Sequence, residues 1–321
     1  MDNLWRNGQV LKNGIYRIED RLGSGRFSVT YLAHQVRTNQ PVAIKTLNPN
    51  ASILRSLKPK EREAYADKFW NEALMLASFR HPHIVRVIEM FNEPIEGWFN
   101  NTKYPCIVME YIDGIDLGKR KEPILAPKIA LRYIQQIGSA LTYVHSQDTL
   151  HRDIKPGNIM TCTREGKSVA ILIDFGLARA FNHPLTQQIT IDGYAPLELY
   201  SQKLPIGAWT DVYGLAATLY VLLTGVSPES ALDDRQDKGI QLTPPINHNP
   251  KISKSINKAI IKALALMPDD RTQSVAEFMW QLGIRPWYVP FPQWDVNVWV
   301  QIVIAIATAV AATATLISLF R

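Results

Sequence analysis

The sequence predicts an α+β protein, rich in strands at its beginning and carrying a helix, a polar loop and a β-hairpin further on, followed by one apolar helix at the C-terminus. Three observations carry that expectation. Strand-like segments separated by turn residues crowd the beginning of the chain. A helix, a polar loop and a β-hairpin follow one another over residues 126–174. Residues 298–320 contain no charge at all.

The first strand-like stretch, YRIEDRLGSGRFSVTYLAHQ (16–35), has β-prone segments on both sides of Gly23 and Gly25. A glycine pair at a strand-turn-strand lets backbone amides approach phosphate oxygens without interference from a Cβ. In the next stretch, QPVAIKTL (40–47), alternation puts Ala43 and Lys45 on one face and Val42 and Ile44 on the other. Alanine leaves room for a flat base, and the ammonium can bind phosphates, yet a desolvated ammonium requires a partner. Glu72, on the helix predicted for ADKFWNEALMLASF (66–79), is the natural candidate. The long basic stretch between them, residues 47–68, is expected as a surface insertion or an extra helical turn.

Further along, APKIALRYIQQIGSALTYVH (126–145) spaces Ala130, Ile134, Ile137, Leu141 and Val144 as one helical face, with Pro127 suited to the first turn. The polar loop HRDIKPGNIM (151–160) follows. NIMTCT and SVAILID then form two strands joined by the turn residues REGK. If that hairpin turns around Gly166, Asn158 faces Asp174. An amide oxygen and a carboxylate oxygen converging in this way suit Mg²⁺, which takes its remaining ligands from waters and substrate phosphates. Asp153 would then be free to orient or deprotonate a hydroxyl nucleophile.

Bulk composition narrows the classes. At 321 residues, 46% hydrophobic and 20% charged, the chain is globular in composition and long enough for substantial cores. The excess of 35 Lys and Arg over 29 Asp and Glu is spread along the whole length. It suits a phosphate-handling protein or one near an anionic membrane, and it is too diffuse for a nucleic-acid binder. Cys106 and Cys162 have no metal or disulfide spacing, which fits a reducing compartment. His81 and His83 in RHPHIV lack further ligands nearby and are expected to be structural. The N-terminus lacks the apolar run of a typical secretory signal.

The C-terminal stretch, VWVQIVIAIATAVAATATLISLF (298–320), would be about 34 Å long as a helix, enough to span a bilayer. Trp287, Tyr288, Trp294 and Trp299 flank it as an interfacial belt would. Three prolines make residues 285–297 a short, stiff tether. Ala305, Ala309 and Thr313, like Ala307, Ala311 and Thr315, provide small residues at four-residue spacing, a pattern that lets membrane helices approach and makes a second copy of the chain a candidate partner.

Taken together and in order, GSGRFSV, VAIK, the helix Glu72, MEYIDGIDL, HRDIKPGN, DFG, PLE, DVYGL and the arginine of MPDDR resemble the eukaryotic-like (Hanks-type) serine/threonine protein kinases, the bacterial branch in particular. The resemblance runs over residues 10–284 and implies a two-lobed kinase fold, with an N-lobe to about Met109 and a C-lobe from about Asp113. Residues 1–9 would be a tail. It implies transfer of the ATP γ-phosphoryl to Ser or Thr hydroxyls of proteins, with Mg²⁺ or Mn²⁺. Lys45 would contact the α- and β-phosphates and pair with Glu72, Asp153 would accept the hydroxyl proton, and Lys155 would neutralise the transferring phosphoryl group. Asn158 and Asp174 would hold the metal.

The same resemblance assigns ATP contacts to Leu22, Gly23, Ser24, Gly25, Val29 and Ala43. Met109 would border the back of the adenine pocket, Glu110 and Ile112 would offer backbone hydrogen bonds to adenine, and Asp116 would face ribose. Glu198 would pair with Arg271, Asp211 would brace the loop, and Arg152 would receive a phosphate carried by Thr186 or Thr190. With the apolar helix, these expectations describe a single-pass membrane protein with a cytoplasmic kinase domain; a nucleotide-binding pseudokinase or membrane scaffold is the alternative. Three positions depart from the family pattern. Ser28 replaces the third glycine of the phosphate loop, PLE replaces APE, and Ile191 stands where a threonine is usual.

Overall fold

The computed structural model describes residues 4–25, 27–48, 51–94, 103–175, 193–201 and 203–284. The chain divides into two compact units, Met1–Ile284 and Arg285–Arg321. The expected membrane helix, its tether, and Thr186, Thr190 and Ile191 lie outside the described residues. Among the described residues no helix is long and apolar enough to cross a membrane.

Six antiparallel strands build the first lobe: β1 (Val10–Leu11), β2 (Tyr16–Ser24), β3 (Ser28–Gln35), β4 (Pro41–Leu47), β5 (Val87–Pro94) and β6 (Lys103–Glu110). Their order is β1-β2-β3-β4-β6-β5. β4 is buried on both faces, and its alternation sorts its side chains into two cores. Ala43 and Leu47 belong to the main core, whereas Val42 and Ile44 join a smaller one with Trp5, Leu11, Tyr16, Tyr31 and Val108.

The sheet curls around this smaller core until its outer strands meet. The Lys12 N–H, just past β1, donates to the Glu93 carboxylate of β5 at 2.9 Å. The Lys12 ammonium and the Tyr16 hydroxyl both bond Glu89, also on β5. Trp5 is 2% exposed and lies 5.2 Å from the Tyr31 ring, so the segment expected as a tail is anchored through Leu4 and Trp5, while residues 6–9 are exposed.

Residues between β4 and β5 form α1 (Ser52–Ser56) and the twenty-residue α2 (Pro59–Ser78). The basic stretch expected as an insertion therefore supplies a short helix and the first turns of α2. Pro59 starts α2 without needing an N–H partner, and the Lys58 N–H donates to the Glu61 carboxylate at 2.7 Å. Phe69, Ala73 and Leu76 bury one face of α2 in the main core.

The second lobe is built on α3 (Pro127–His145) and α4 (Ala208–Thr224). The five residues expected on the inner face of α3 are buried completely or nearly so. Every residue of α4 from Thr210 to Thr224 is buried, which makes it the axis of the lobe. Around it lie α5 (Pro245–His248), α6 (Lys254–Ala263) and α7 (Val275–Gln281).

A second sheet, ordered β7-β8-β9, joins β7 (Ile115–Asp116) to the hairpin β8 (Ile159–Arg164) and β9 (Lys167–Leu172). Its register corrects the sequence-based one by a residue. Arg164 pairs with Lys167 and Ile159 with Leu172, because the turn is Glu165–Gly166 with φ of +50° and +72°. A two-residue turn with both φ positive matches the strand twist, whereas a turn centred on Gly166 alone would shift the pairing. Asn158 therefore stands opposite Ile173, whose N–H donates to the Asn158 carbonyl at 3.0 Å.

Candidate active site

The loop between α3 and β8 is held from below by one carboxylate. Asp211, in the first turn of α4 and 1% exposed, accepts the N–H of His151 at 2.8 Å and of Arg152 at 2.6 Å. The same side chain bonds His145 Nε2 at 2.7 Å. Burial alone would raise the Asp211 carboxyl, but these donors, His145 foremost, hold it below its ordinary value. Arg152 has φ of +64°, a left-handed conformation that costs a non-glycine residue about 1–2 kcal/mol. The charge-assisted bond from its N–H offsets that strain. A Cβ on Gly214 would lie 2.8 Å from the Ile154 carbonyl, so glycine lets the loop settle directly on α4.

Above this brace sit the chemical groups. Asn158 Nδ2 donates to Asp153 twice, at 2.9 Å to Oδ2 and 2.7 Å to its carbonyl. With its nitrogen so committed, Asn158 turns its oxygen, a hard donor, away from Asp153. Lys155 Nζ is 3.2 Å from Asp153 Oδ2. Lys45 Nζ lies 2.5 Å from Asp174 Oδ1, and the lysine is 6% exposed.

The pairing expected between Lys45 and Glu72 is not formed: among the described residues Lys45 takes Asp174 as its partner. Glu72 lines the same pocket, with Ala73, Leu76, Ile107, Met109, Ile173 and Phe175. Burial pushes the Glu72 carboxyl up to about 8; Lys45 pulls against that shift and Asp174 adds to it. A carboxyl so placed is neutral at pH 7 and can stand without an ion pair.

The nucleotide side agrees with the sequence reading in part. Ala43, Met109 and Ile112 are buried in the main core beside the pocket residues. The Glu110 N–H donates to the Arg86 carbonyl at 2.9 Å, so only its carbonyl remains for a base. Its carboxylate bonds the Arg86 N–H and Arg164 Nη2, each at 2.9 Å, tying β6 to the hairpin. Asp116 accepts from the Lys119 N–H at 2.9 Å and faces its ammonium at 3.1 Å.

Gly23 and Ser24 end β2, Leu22 is exposed, and the Gly25 N–H donates to the Ser28 carbonyl at 2.8 Å. Ser28 begins β3 without a positive φ, so this position does not require glycine. Val29 does not face the pocket. It is 3% exposed in the small core beside Tyr31, and its neighbour Thr30 pairs with Lys45 and shares its face. Alternation through Tyr31 and Ala33 was the signal that could have assigned Thr30 instead.

The stack of His151 on Phe175 and Phe79 escaped the sequence reading, whereas the Glu198–Arg271 pair and the structural roles of His81 and His83 were expected. The His151 ring is buried completely, which lowers its pKa, and its Nδ1 accepts the Asp153 N–H at 3.2 Å, as a neutral imidazole can. That ring lies 4.7 Å from Phe175, itself 5.4 Å from Phe79. The stack runs from the loop to the end of α2. Arg271 and Glu198 form a wholly buried pair with contacts of 2.6 and 3.2 Å, and Thr210 donates to the same carboxylate at 2.9 Å. His81 and His83 serve structure: His81 Nε2 lies 3.1 Å from Ser139 Oγ, and His83 Nδ1 bonds the Ala170 carbonyl at 2.9 Å.

A family model described as the protein kinase domain matches residues 16–281. The chain belongs to that family. The kinase domain is 32% identical over 274 residues to the serine/threonine-protein kinase PknB of Mycolicibacterium smegmatis, covering 82% of this chain and 41% of that protein. A probable serine/threonine-protein kinase of Streptomyces coelicolor is 33% identical over 282 residues, covering 82% of this chain and 39% of the relative. The chain thus spans about two-fifths of the length of these curated relatives. Among solved structures, the apo form of PpkA-294 superposes with a TM-score of 0.69 at 27% identity, covering 87% of this chain and 99% of that one. The kinase domain of Mycobacterium tuberculosis PknI, at 24% identity and a TM-score of 0.63, covers 87% of this chain and 98% of that one and shares the fold.

Proposed function

We propose that this kinase domain transfers the γ-phosphoryl of ATP to serine or threonine hydroxyls of proteins. The observation that carries the reading is the position of Asp153, held by Asn158 and Lys155 on a loop braced by Asp211. The relatives' printed activity points the same way. Asp153 would orient the incoming hydroxyl and take its proton as the new O–P bond forms and the bond from the γ-phosphorus to the bridging oxygen breaks, releasing ADP. Lys155 would balance charge on the transferring group, and Lys45 would hold the α- and β-phosphates.

The donor set of Asn158 Oδ1 and the Asp174 carboxylate fits Mg²⁺, a hard cation that accepts few protein ligands. When bound, the metal would neutralise phosphate oxygens. Rate would then come chiefly from positioning and charge neutralisation. We further propose that residues 298–320 tether the kinase to a membrane with its catalytic domain on the cytoplasmic face, and that their small residues bring copies together. That reading is supported by the charge-free stretch and its aromatic flank.

Replacing Asp174 by Ala or Lys45 by Met is expected to abolish Mg²⁺-dependent phosphorylation of a general basic protein substrate, measured by phosphate transfer from labelled ATP. Either variant turning over at the wild-type rate would overturn the assignment.

A further inference from the structure

Trp280 is the most exposed large apolar side chain among the described residues, at 74%. It sits on α7, four positions before the end of the first compact unit at Ile284. Its surroundings are basic. On α6, Lys254, Lys258 and Lys262 follow one another at four-residue spacing on the outer face, and Lys251 is exposed just before the helix. Ile261, 37% exposed, stands within that stripe.

The two helices present one continuous surface. Lys262 Nζ lies 3.3 Å from Glu277 Oε1, and Glu277 is one helical turn from Trp280 on the same side of α7. Glu277 is the one acid within the stripe, and it is occupied: it accepts from Gln281 at 2.7 Å and from the Gln273 N–H at 3.1 Å besides facing Lys262. Asp269 and Asp270 are exposed on the turn between the helices and border the surface on one side. Four lysines against one bonded glutamate leave a positive face with a tryptophan and an isoleucine at its edge. The inner face of α6 is spent on the core through Ile256, Ala259, Ile260 and Ala263.

We propose that this outer face of α6 and α7 docks on the surface of an anionic lipid bilayer. A tryptophan suits the headgroup level, where an apolar body and a polar N–H are both accommodated. Each lysine brought near an anionic leaflet strengthens attachment about five-fold. The inference rests on the membrane reading of residues 298–320 for its location, since the stretch that would enter the bilayer begins eighteen residues after Trp280. It adds that the kinase body lies against the leaflet with a fixed face.

The test uses the full chain mixed with vesicles of phosphatidylcholine alone or with phosphatidylserine added. Flotation reports attachment, and hydrogen exchange of peptides over residues 254–263 and 275–282 reports docking. The proposal expects slower exchange of both helices on phosphatidylserine vesicles than on neutral ones. That difference should vanish in the combined Lys254→Glu, Lys258→Glu and Trp280→Ala variant, while its phosphorylation of a soluble substrate in detergent is unchanged. Flotation with neutral vesicles and equal exchange on both lipids would overturn the docking face and leave the tether standing. Flotation only with phosphatidylserine, with slowed exchange, would overturn the tether and leave the face. Protection that follows protein density rather than lipid charge would also overturn the proposal, by assigning the face to a second copy of the chain.

Discussion

Asp211→Asn tests whether the loop beneath Asp153 is held by charge or merely by shape. The carboxylate takes three donors at 2.6 to 2.8 Å, two of them the adjacent backbone N–H groups of His151 and Arg152. Asparagine keeps one acceptor oxygen and turns an NH₂ toward a donor that has no other partner in that buried space. The change removes at least one charge-assisted bond, roughly 1.5–3 kcal/mol, and leaves a buried N–H unsatisfied at roughly 1–3 kcal/mol. Its total cost is therefore about 2.5–6 kcal/mol.

For a domain of this size that is a loss of roughly 5–24 °C in the unfolding midpoint. Arg152, freed from its anchor, can relax out of the left-handed region, and Asp153 moves with it. A displacement on the order of 1 Å costs about a hundred-fold in turnover. KM for ATP should change far less, because Lys45 and Met109 stand on another lobe. Steady-state phosphorylation with a calorimetric melt measures both quantities. A variant with wild-type kcat and an unshifted midpoint would refute the idea that the Asp211 charge sets the loop.

Two other substitutions probe buried carboxyl groups. Arg271→Met should cost about 3–5 kcal/mol in urea unfolding, because Glu198 at 0% exposure is left as an unpaired charge. Adding Glu198→Gln should restore part of that loss, and strictly additive costs would show that the two side chains do not act as a pair. Glu72→Gln should flatten the dependence of stability on pH. The folded carboxyl titrates near about 8 against 4.5 in the unfolded chain, so it retains a proton the unfolded chain has released, and wild-type stability falls as pH climbs through that window. Parallel melting profiles for wild type and variant between those values would count against a neutral Glu72.

The parts of this fold that were legible in the sequence are those governed by a single local rule. The α3 face followed from its period, and β4 sorted its side chains as alternation requires, Ala43 to the main core with Lys45 in the pocket beside it, and Val42 and Ile44 to the smaller core. The REGK hairpin was recognised, but its register depended on whether Glu165 could adopt a positive φ, which composition does not reveal. Val29 was misplaced by one residue, since both alternation and the glycine-loop spacing counted from Ser28 point to Thr30. The closure of the first sheet was hidden for another reason. Lys12 and Glu89 are far apart in sequence, and no period or motif announces that two sheet edges will meet.

Lys45 shows most clearly why a site can be named from sequence and still be arranged differently. The sequence supplies one buried ammonium and two carboxyl groups around it, and the motifs assigned Glu72 to Lys45 and Asp174 to the metal. The pocket gives Lys45 to Asp174 instead. Asp174 retains 37% exposure of its side chain and bonds Lys45, whereas Glu72 lies among Ala73, Leu76, Ile107 and Phe175. Ionising Glu72 there carries a desolvation cost that Lys45, already bonded to Asp174, does not offset. Burial, with Asp174 beside it, therefore keeps the proton on Glu72 against the pull of Lys45 and Arg152. A second positive charge at Asp174 would change that balance. It would free Lys45 to face Glu72, lower the cost of releasing the Glu72 proton, and couple the ionisation of a residue on α2 to the charge gathered at the end of β9.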